Sequence, residues 1–347
     1  MSSDQNRFLL ITYPRTASNL LLKILALETH PNVHMTPEGS GPHGGNGYFF
    51  MRNQMLKGKI GKTMSEWTED EESQLVESYQ SCFDDLEAYA QAASAQGKIA
   101  FVKEHAHFIT EPSALENFIS GDLGKGQVPL TVTLPSAYGT EGTRTTGNDT
   151  IFPNEFLRTW KPTILIRHPA LVFPSYYRAS QAFFKSSESQ LDLFMTFTWQ
   201  RRLHDWYQAQ SSEEAAHGSA SWPVVLDADD IIVEPGVVVR YCEIIGIDHS
   251  KLKFEWAPVS SEEKKEMNPV IGRFLSCLLD SSGIQKDKVS TNIDIGIETV
   301  KWKAEFGDVL GEKMAKWVGD AMPDYEAMRA RRLRAREEEE VGRDPLA

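Results

Sequence analysis

A short apolar run followed by a loop and then a helix, at residues 9–24 (LLITYPRTASNLLLKI), constrains the fold more than any other stretch. Residues 9–11 are typical of a fully buried strand, and TYPRTAS supplies turn residues before an apolar-periodic helix that begins near Asn19. A loop in this position directs backbone N–H groups and the positive end of a helix dipole at one point, which favours phosphate or sulfate. The stretch therefore predicts an anion site, to which Arg15 adds a charge and Ser18 a hydroxyl.

Further apolar runs alternate with helical patterns along the chain. Strand candidates are residues 98–103 (KIAFVK), 162–166 (PTILI) and 223–226 (PVVL), and apolar side chains recur at helical spacing in residues 64–95, 191–208 and 298–318. This alternation predicts an α/β fold, a parallel β-sheet flanked by helices on both faces. We expect a single domain over residues 1–328 and a charged tail over residues 329–347, because RARRLRAREEEE is too charged to pack in a core.

Charge and cysteine usage exclude several classes of protein. The 347 residues include 36 basic and 49 acidic side chains, a formal net charge of −13, so we expect no nucleic-acid partner and no anionic membrane partner. An anionic ligand would need a local basic pocket. No apolar run is long enough to span a bilayer and the first residues lack a signal-peptide pattern, which predicts a soluble, cytoplasmic protein. Cys82, Cys242 and Cys277 lack metal-ligand spacing and are expected to be buried thiols in a reducing compartment.

Charged or titratable residues follow three of the predicted strands: Arg15, His105 and Arg167. Because the carboxyl ends of parallel strands meet at one edge of a sheet, we expect these side chains to converge on one crevice. The Walker pattern G-x-x-x-x-G-K-[ST] is absent, and the first loop contains neither Lys nor Gly. The site is therefore expected to bind an anion differently from an ATPase.

The first loop resembles the 5′-phosphosulfate loop of sulfotransferases that use 3′-phosphoadenosine-5′-phosphosulfate (PAPS). That loop usually reads T-Y-P-K-S-G-T-T or P-R-S-G-S-T, and TYPRTASN is similar to both. The resemblance implies a P-loop-containing nucleoside triphosphate hydrolase-like fold and PAPS as co-substrate. It assigns nucleotide binding to Arg15, Thr16, Ala17, Ser18 and Asn19.

A second segment, ILIRHPALVFPSYYR, resembles the region of the same family that binds the 3′-phosphate. In that region an Arg ends a strand and a Ser follows eight positions later, as Arg167 and Ser175 do here. A planar guanidinium forks onto phosphate oxygens, and a hydroxyl near a helix start adds a neutral donor. The resemblance therefore implies that Arg167 and Ser175 bind the 3′-phosphate.

The segment FVKEHAH resembles the K-x-H sequence of cytosolic sulfotransferases, with Lys103 and His105 at the matching positions. A His with a near-neutral pKa can remove the proton from an acceptor hydroxyl, and a Lys can stabilise charge on the sulfuryl oxygens. The resemblance implies that His105, Arg15 and Lys103 are catalytic. Glu104 and His107 are alternative bases, since other sulfotransferases use a Glu.

A weaker resemblance concerns VKWKAEFG, which is similar to the basic C-terminal stretch that closes over the nucleotide in this family. It implies a nucleotide contact for Lys301, Trp302 and Lys303. Two positions depart from the family pattern. Ala17 replaces a Gly and would be strained if the position needs a positive φ, and Leu20 replaces an adenine-stacking Trp.

The function implied by the resemblance is sulfuryl transfer from PAPS to a hydroxyl or amine of a small-molecule acceptor, by in-line displacement with a His base and no metal. The alternative is a protein that binds PAPS or its product without sulfating anything. A nucleotide kinase is a third and poorer option, because the Walker Lys is absent. The acceptor and the oligomeric state cannot be read from the sequence.

Overall fold

A computed structural model describes residues 6–36, 47–53, 66–120, 129–139, 142–181, 188–214 and 222–336. In chain order its helices and strands are β1 (Arg7–Thr12), α1 (Ser18–Leu25), α2 (Glu69–Ala95), β2 (Ala100–His105), α3 (Ala106–Ile109), α4 (Pro112–Ser120), α5 (Asn154–Leu157), β3 (Lys161–Ile166), α6 (Pro169–Ser180), α7 (Glu188–Phe194), α8 (Thr198–Glu214), β4 (Val224–Asp227), α9 (Ala228–Val233), α10 (Pro235–Ile245), α11 (Ser261–Glu266), α12 (Pro269–Leu279), α13 (Ile295–Phe306) and α14 (Asp308–Arg329). Single 3-10 turns occupy Leu27–Thr29, Ser136–Tyr138 and His249–Lys251.

The four strands form one parallel sheet in the order β2-β1-β3-β4. Each strand corresponds to a predicted apolar run. In the register, Thr12 at the end of β1 lies opposite His105 at the end of β2, while Ile11 pairs with Ile164 of β3. The carboxyl ends of β1, β2 and β3 therefore lie side by side, as an open parallel sheet requires for a shared crevice.

Apolar side chains pack on both faces of this sheet. Alternate residues of β1 point to opposite sides, so Leu9 and Ile11 belong to one buried cluster while Phe8 and Leu10 belong to the other. The first cluster contains apolar residues of α2, α6, α8 and α14, and the second contains those of α1 and α10. The predicted fold class, a parallel sheet flanked by helices on both faces, is confirmed.

Chain segments outside the named strands bridge to both outer strands. On the β2 side, Val33 pairs with Ile99 just before the strand, and Gly47 pairs with Lys103. On the β4 side, Val225 pairs with Arg332, and its carbonyl accepts a hydrogen bond of 2.8 Å from the Leu333 amide. Residues 330–336 therefore lie against the domain, and the boundary predicted at residue 329 remains a prediction.

Several local expectations need correction. The helix predicted over residues 298–318 is broken at Gly307, whose φ of 88° favours glycine. The helix predicted over residues 191–208 is interrupted between Phe194 and Thr198. The prediction that all three cysteines are buried holds for Cys82 and Cys242 but is wrong for Cys277, which is exposed. In the part of the chain that the structure covers, no helix is long and apolar enough to cross a membrane.

Candidate functional site

The loop after β1 turns sharply because two of its residues adopt left-handed backbone conformations. Arg15 has a φ of 72° and Ala17 a φ of 64°. Thr16 fastens the turn, since its amide and its hydroxyl both donate to the carbonyl of Tyr13, at 3.3 and 2.7 Å. Ala17 is the N-cap of α1, so the first N–H groups of that helix, which have no partner within the helix, lie at the loop. The positive φ of Ala17 is the backbone conformation that was expected to be strained for a residue with a Cβ.

Arg15 and Arg167, from different strand ends, meet beside Ser175. The Nε of Arg15 donates to the Ser175 hydroxyl at 2.9 Å, and one terminal nitrogen donates to the carbonyl of Phe274. Arg167 donates to the carbonyl of Arg15 at 3.2 Å and to that of Lys288 at 2.8 Å, while its buried Nε has no hydrogen-bond partner among the described residues. Burial lowers the pKa of both guanidiniums, although both groups remain charged. The structure thus brings together the two segments that were predicted to bind the 5′-phosphate and the 3′-phosphate.

Residues from α12 and the segment after it complete this cationic cluster. Arg273 lies close enough to Arg15 for its charge to lower the pKa of Arg15. The Cys277 thiol hydrogen-bonds with Arg15 and with Lys288. Partial burial works against ionisation of this thiol, but the hydrogen bond and charge of Lys288 and the charge of Arg15 leave its pKa lowered. Sequence reasoning missed Arg273 and Lys288, because nothing local places these residues over a loop more than 200 positions earlier.

The predicted catalytic pair lies at the end of β2. The Nζ of Lys103 donates to Asn19 Oδ1 at 2.6 Å and lies 4.3 Å from the ring centre of Tyr48. The Nδ1 of His105 lies 2.7 Å from the Thr12 hydroxyl. That hydroxyl donates to the carbonyl of Glu104 at 3.1 Å, so we assign the tautomer in which Nδ1–H donates to the hydroxyl and the Nε2 lone pair of His105 is available.

The protonation states of these side chains follow from burial. Burial lowers the pKa of Lys103 to about 7 and raises that of Glu104 to about 8, with their mutual attraction acting in the opposite direction. Burial, and then the charges of His107 and Lys103, hold the pKa of His105 well below its ordinary value. Burial therefore favours the neutral form of His105 and shifts Glu104 towards its protonated form. His107 stacks on His105, with ring centres 5.5 Å apart and an interplanar angle of 14°.

The predicted C-terminal stretch lies on the hairpin formed by α13 and α14. Trp302 is buried, with 1% of its surface exposed, in the larger apolar cluster. Lys301 pairs with Glu298 at 2.6 Å, and Lys303 pairs with Glu312. Their assignment to nucleotide binding remains a prediction. Among the described residues, no group of three or more His, Cys, Asp and Glu side chains is arranged to hold a metal ion.

The fold and the site together define an α/β protein that collects cationic and hydroxyl side chains around the loop after β1. Similarity to two curated proteins identifies the family within this class. Sulfotransferase ppzF of Metarhizium rileyi (strain RCEF 4871) is 41% identical over 338 residues, covering 95% of this chain and 96% of that protein. Sulfotransferase ppzF of Metarhizium majus (strain ARSEF 297) is 40% identical over 340 residues, with coverage of 95% and 97%. The chain belongs to the sulfotransferase family, whose members are enzymes that transfer sulfuryl groups.

Two other comparisons add little. No family model matches the sequence. Among solved structures, the sulfotransferase domain from the Synechococcus PCC 7002 olefin synthase has a TM-score of 0.38 and 13% identity, over 87% of this chain and 95% of that chain. That likeness is too low to bear on the assignment, which rests on the two Metarhizium proteins and confirms the predicted resemblance to sulfotransferases.

Proposed function

We propose that this sulfotransferase uses PAPS as donor and sulfates a hydroxyl or amine of a small-molecule acceptor. The observation that carries the proposal is the junction of Arg15, Ser175 and Arg167. Two cations from different strand ends and a hydroxyl of α6 lie there within hydrogen-bonding distance of one another or of the loop backbone. Such a group suits a ligand with two phosphate groups. The orphaned Nε of Arg167 is a further donor that an anion would satisfy.

When the donor nucleotide binds, its phosphate oxygens would accept the hydrogen bonds that these side chains now donate to one another and to the loop backbone. The 5′-phosphate would lie on the amides of residues 16–19 with Ser18, and the 3′-phosphate on Arg167 and Ser175. The Thr16 side chain is fully buried and donates to Tyr13, so Thr16 offers only its amide. The cations of α12 and the segment after it, Arg273 and Lys288, would add charge on the outer side.

In the proposed transfer, Nε2 of His105 takes the acceptor proton as the acceptor atom attacks sulfur. The new bond joins that atom to sulfur, and the bond between sulfur and the 5′-phosphate oxygen breaks in line with it. Arg15 would neutralise the charge that develops on the departing phosphate oxygen, and Lys103 the charge on the sulfuryl oxygens. His105 suits the role of base better than Glu104, because burial favours the unprotonated form of His105 and the protonated form of Glu104.

Calorimetric titration with 3′-phosphoadenosine-5′-phosphate (PAP), AMP and ATP with magnesium tests the nucleotide site. We expect micromolar PAP binding that needs the 3′-phosphate, and a loss of about tenfold to 100-fold in Arg167→Ala, since hydrogen bonds to charged groups contribute about 1.5–3 kcal/mol. Arg178→Ala is the matched control: this arginine lies on α6, near Ser175, but pairs with Glu305 at the surface.

The outcomes separate the candidate functions. Absence of PAP binding would refute the donor assignment. PAP binding without transfer to a broad panel of alcohols, phenols and amines would leave a nucleotide-binding protein, and magnesium-dependent ATP binding would favour a kinase. Normal turnover in His105→Ala would remove that residue from the role of base.

We also propose a cytoplasmic location. Cys82 and Cys242 lie in separate apolar clusters and both are free thiols, which is compatible with a reducing compartment.

A further inference from the structure

Residues 47–53 cross the end of β2 and contact consecutive residues of the catalytic strand. The Tyr48 amide donates to the carbonyl of Lys103 at 2.9 Å, and the Phe50 amide donates to Glu104 Oε1 at 3.4 Å. The approach at Gly47 requires glycine, because a Cβ there would lie 2.6 Å from the carbonyl oxygen of Lys103. This segment is therefore fastened to the strand end by its backbone.

Tyr48 has an unusual backbone within this segment. Its φ is 61°, in the left-handed region that bulky residues rarely adopt. A conformation of this kind costs on the order of 1–3 kcal/mol and persists only where the surroundings enforce it, which is often at a functional site.

The Tyr48 side chain contacts three parts of the candidate site at once. Its ring lies 4.3 Å from the Nζ of Lys103 and 4.8 Å, centre to centre, from the ring of His105. Its hydroxyl hydrogen-bonds with the Ser18 side chain at the start of α1. We propose that Tyr48 is a positioning residue for sulfuryl transfer: its ring holds the Lys103 ammonium and the His105 imidazole, and its hydroxyl holds Ser18 at the anion loop.

This inference rests on the proposed function, and the two parts of the side chain have separable effects. The ring stabilises the ammonium form of Lys103 through its negative face, which matters because burial opposes that charge. Lys103 otherwise faces the neutral acceptor Asn19 from α1, with Glu104 and His105 beside it on β2. The hydroxyl acts on a different group, the Ser18 side chain, which is assigned to the donor nucleotide.

Two variants of Tyr48 test the role of the ring and the role of the hydroxyl separately. In Tyr48→Phe the ring remains, so we expect an unchanged basic limb of the pH profile. Loss of the hydrogen bond to Ser18 should weaken PAP binding about threefold to tenfold. In Tyr48→Leu we expect kcat to fall about tenfold or more and the basic limb to move to lower pH, because Lys103 loses its proton more readily.

Phe49→Leu is the matched control for general loosening of the segment. Phe49 packs on Tyr89, with ring centres 5.8 Å apart, and its replacement should leave both the pH profile and PAP binding near wild type. Wild-type kcat and pH profile in Tyr48→Leu, or an equal loss in Phe49→Leu, would overturn the role of the ring. Unchanged PAP binding in Tyr48→Phe would overturn the role of the hydroxyl, and this measurement does not depend on whether Tyr48→Leu folds.

A nucleotide-independent readout distinguishes failure of this inference from failure of the proposed function. The pKa of Lys103 can be followed by carbon-13 NMR of protein labelled with carbon-13 in its lysine side chains. A lower pKa in Tyr48→Leu than in wild type supports the ring contact even if PAP does not bind the wild-type protein. An equal pKa in the two proteins overturns the contact.

Discussion

Ala17 offers a direct test of the anion-loop geometry, because its backbone conformation has a calculable cost. Its φ of 64° and ψ of 22° are left-handed, which costs a residue with a Cβ about 1–2 kcal/mol relative to glycine. Glycine loses more conformational freedom on folding, at about 0.5–1 kcal/mol. We therefore expect Ala17→Gly to raise the free energy of unfolding by about 0.5–1 kcal/mol, seen as a higher urea midpoint without nucleotide.

Two other alanines serve as controls for this measurement. Ala26, with a φ of 46° and a ψ of 49°, is also left-handed but ends α1 away from the loop. The gain in Ala26→Gly should be smaller than in Ala17→Gly, because the buried Ala26 also loses a packed methyl group. Ala88 is exposed within α2, where glycine should destabilise by about 1 kcal/mol.

The left-handed backbone of Ala17 also predicts the effect of Ala17→Gly on PAP affinity and the direction of the change in the urea midpoint. PAP affinity in Ala17→Gly should stay within twofold of wild type, because the backbone already has the conformation that glycine would allow. If Ala17→Gly lowers the midpoint as much as Ala88→Gly does, residue 17 is not left-handed in solution and the reasoning about the loop is refuted.

Three further outcomes are expected. Glu87→Gln removes the charge that pairs with Arg7 at 3.3 Å, where both side chains are buried, and should lower the free energy of unfolding by about 3 kcal/mol in urea titrations. His105 is neutral because burial lowers its pKa, so it stays in the base form on mild acidification; kcat/KM should not fall between about pH 7.5 and about pH 6. Joint replacement of Lys301 and Lys303 by Ala should change PAP affinity less than twofold in calorimetry, since each pairs with a glutamate on its own hairpin.

Each of these three predictions would be contradicted by a specific result. An unchanged urea midpoint in Glu87→Gln would show that the ion pair is solvated. An acid limb near the ordinary His pKa of about 6.5 would show that the base is less buried than His105. A tenfold loss of PAP affinity in the double lysine variant would support the sequence-based assignment of residues 301–303 to the nucleotide.

The sheet could be predicted because each strand is a short apolar run between turn residues. The four predicted runs agree with β1 to β4 to within two residues at each end. Breaks within helices could not be predicted in the same way, because apolar periodicity continues across them. The only local sign of the break between α13 and α14 is Gly307, whose φ of 88° other residues rarely adopt.

The candidate site divides in a similar manner. The positions of Arg15 and Arg167 follow from strand ends that meet at one edge, and the eight-residue spacing places Ser175 on the helix after Arg167. Arg273 and Lys288 could not be predicted, because their position depends on how α12 packs across the loop. The position of Trp302 between two lysines suggested a contact with the nucleotide. In the structure, the packing of the helices buries its ring in the core.

The segment that pairs with β4 has a consequence for association between molecules. An uncovered outer strand offers unpaired amides and carbonyls to other chains, and proteins commonly shield such strands. Here the contact of Leu333 with Val225, fastened by the ion pair of Arg332 with Asp230 at 2.6 Å, supplies that shield. A chain shortened at Met328 would expose β4 and so become prone to aggregation, although every residue of the proposed catalytic centre would still be present.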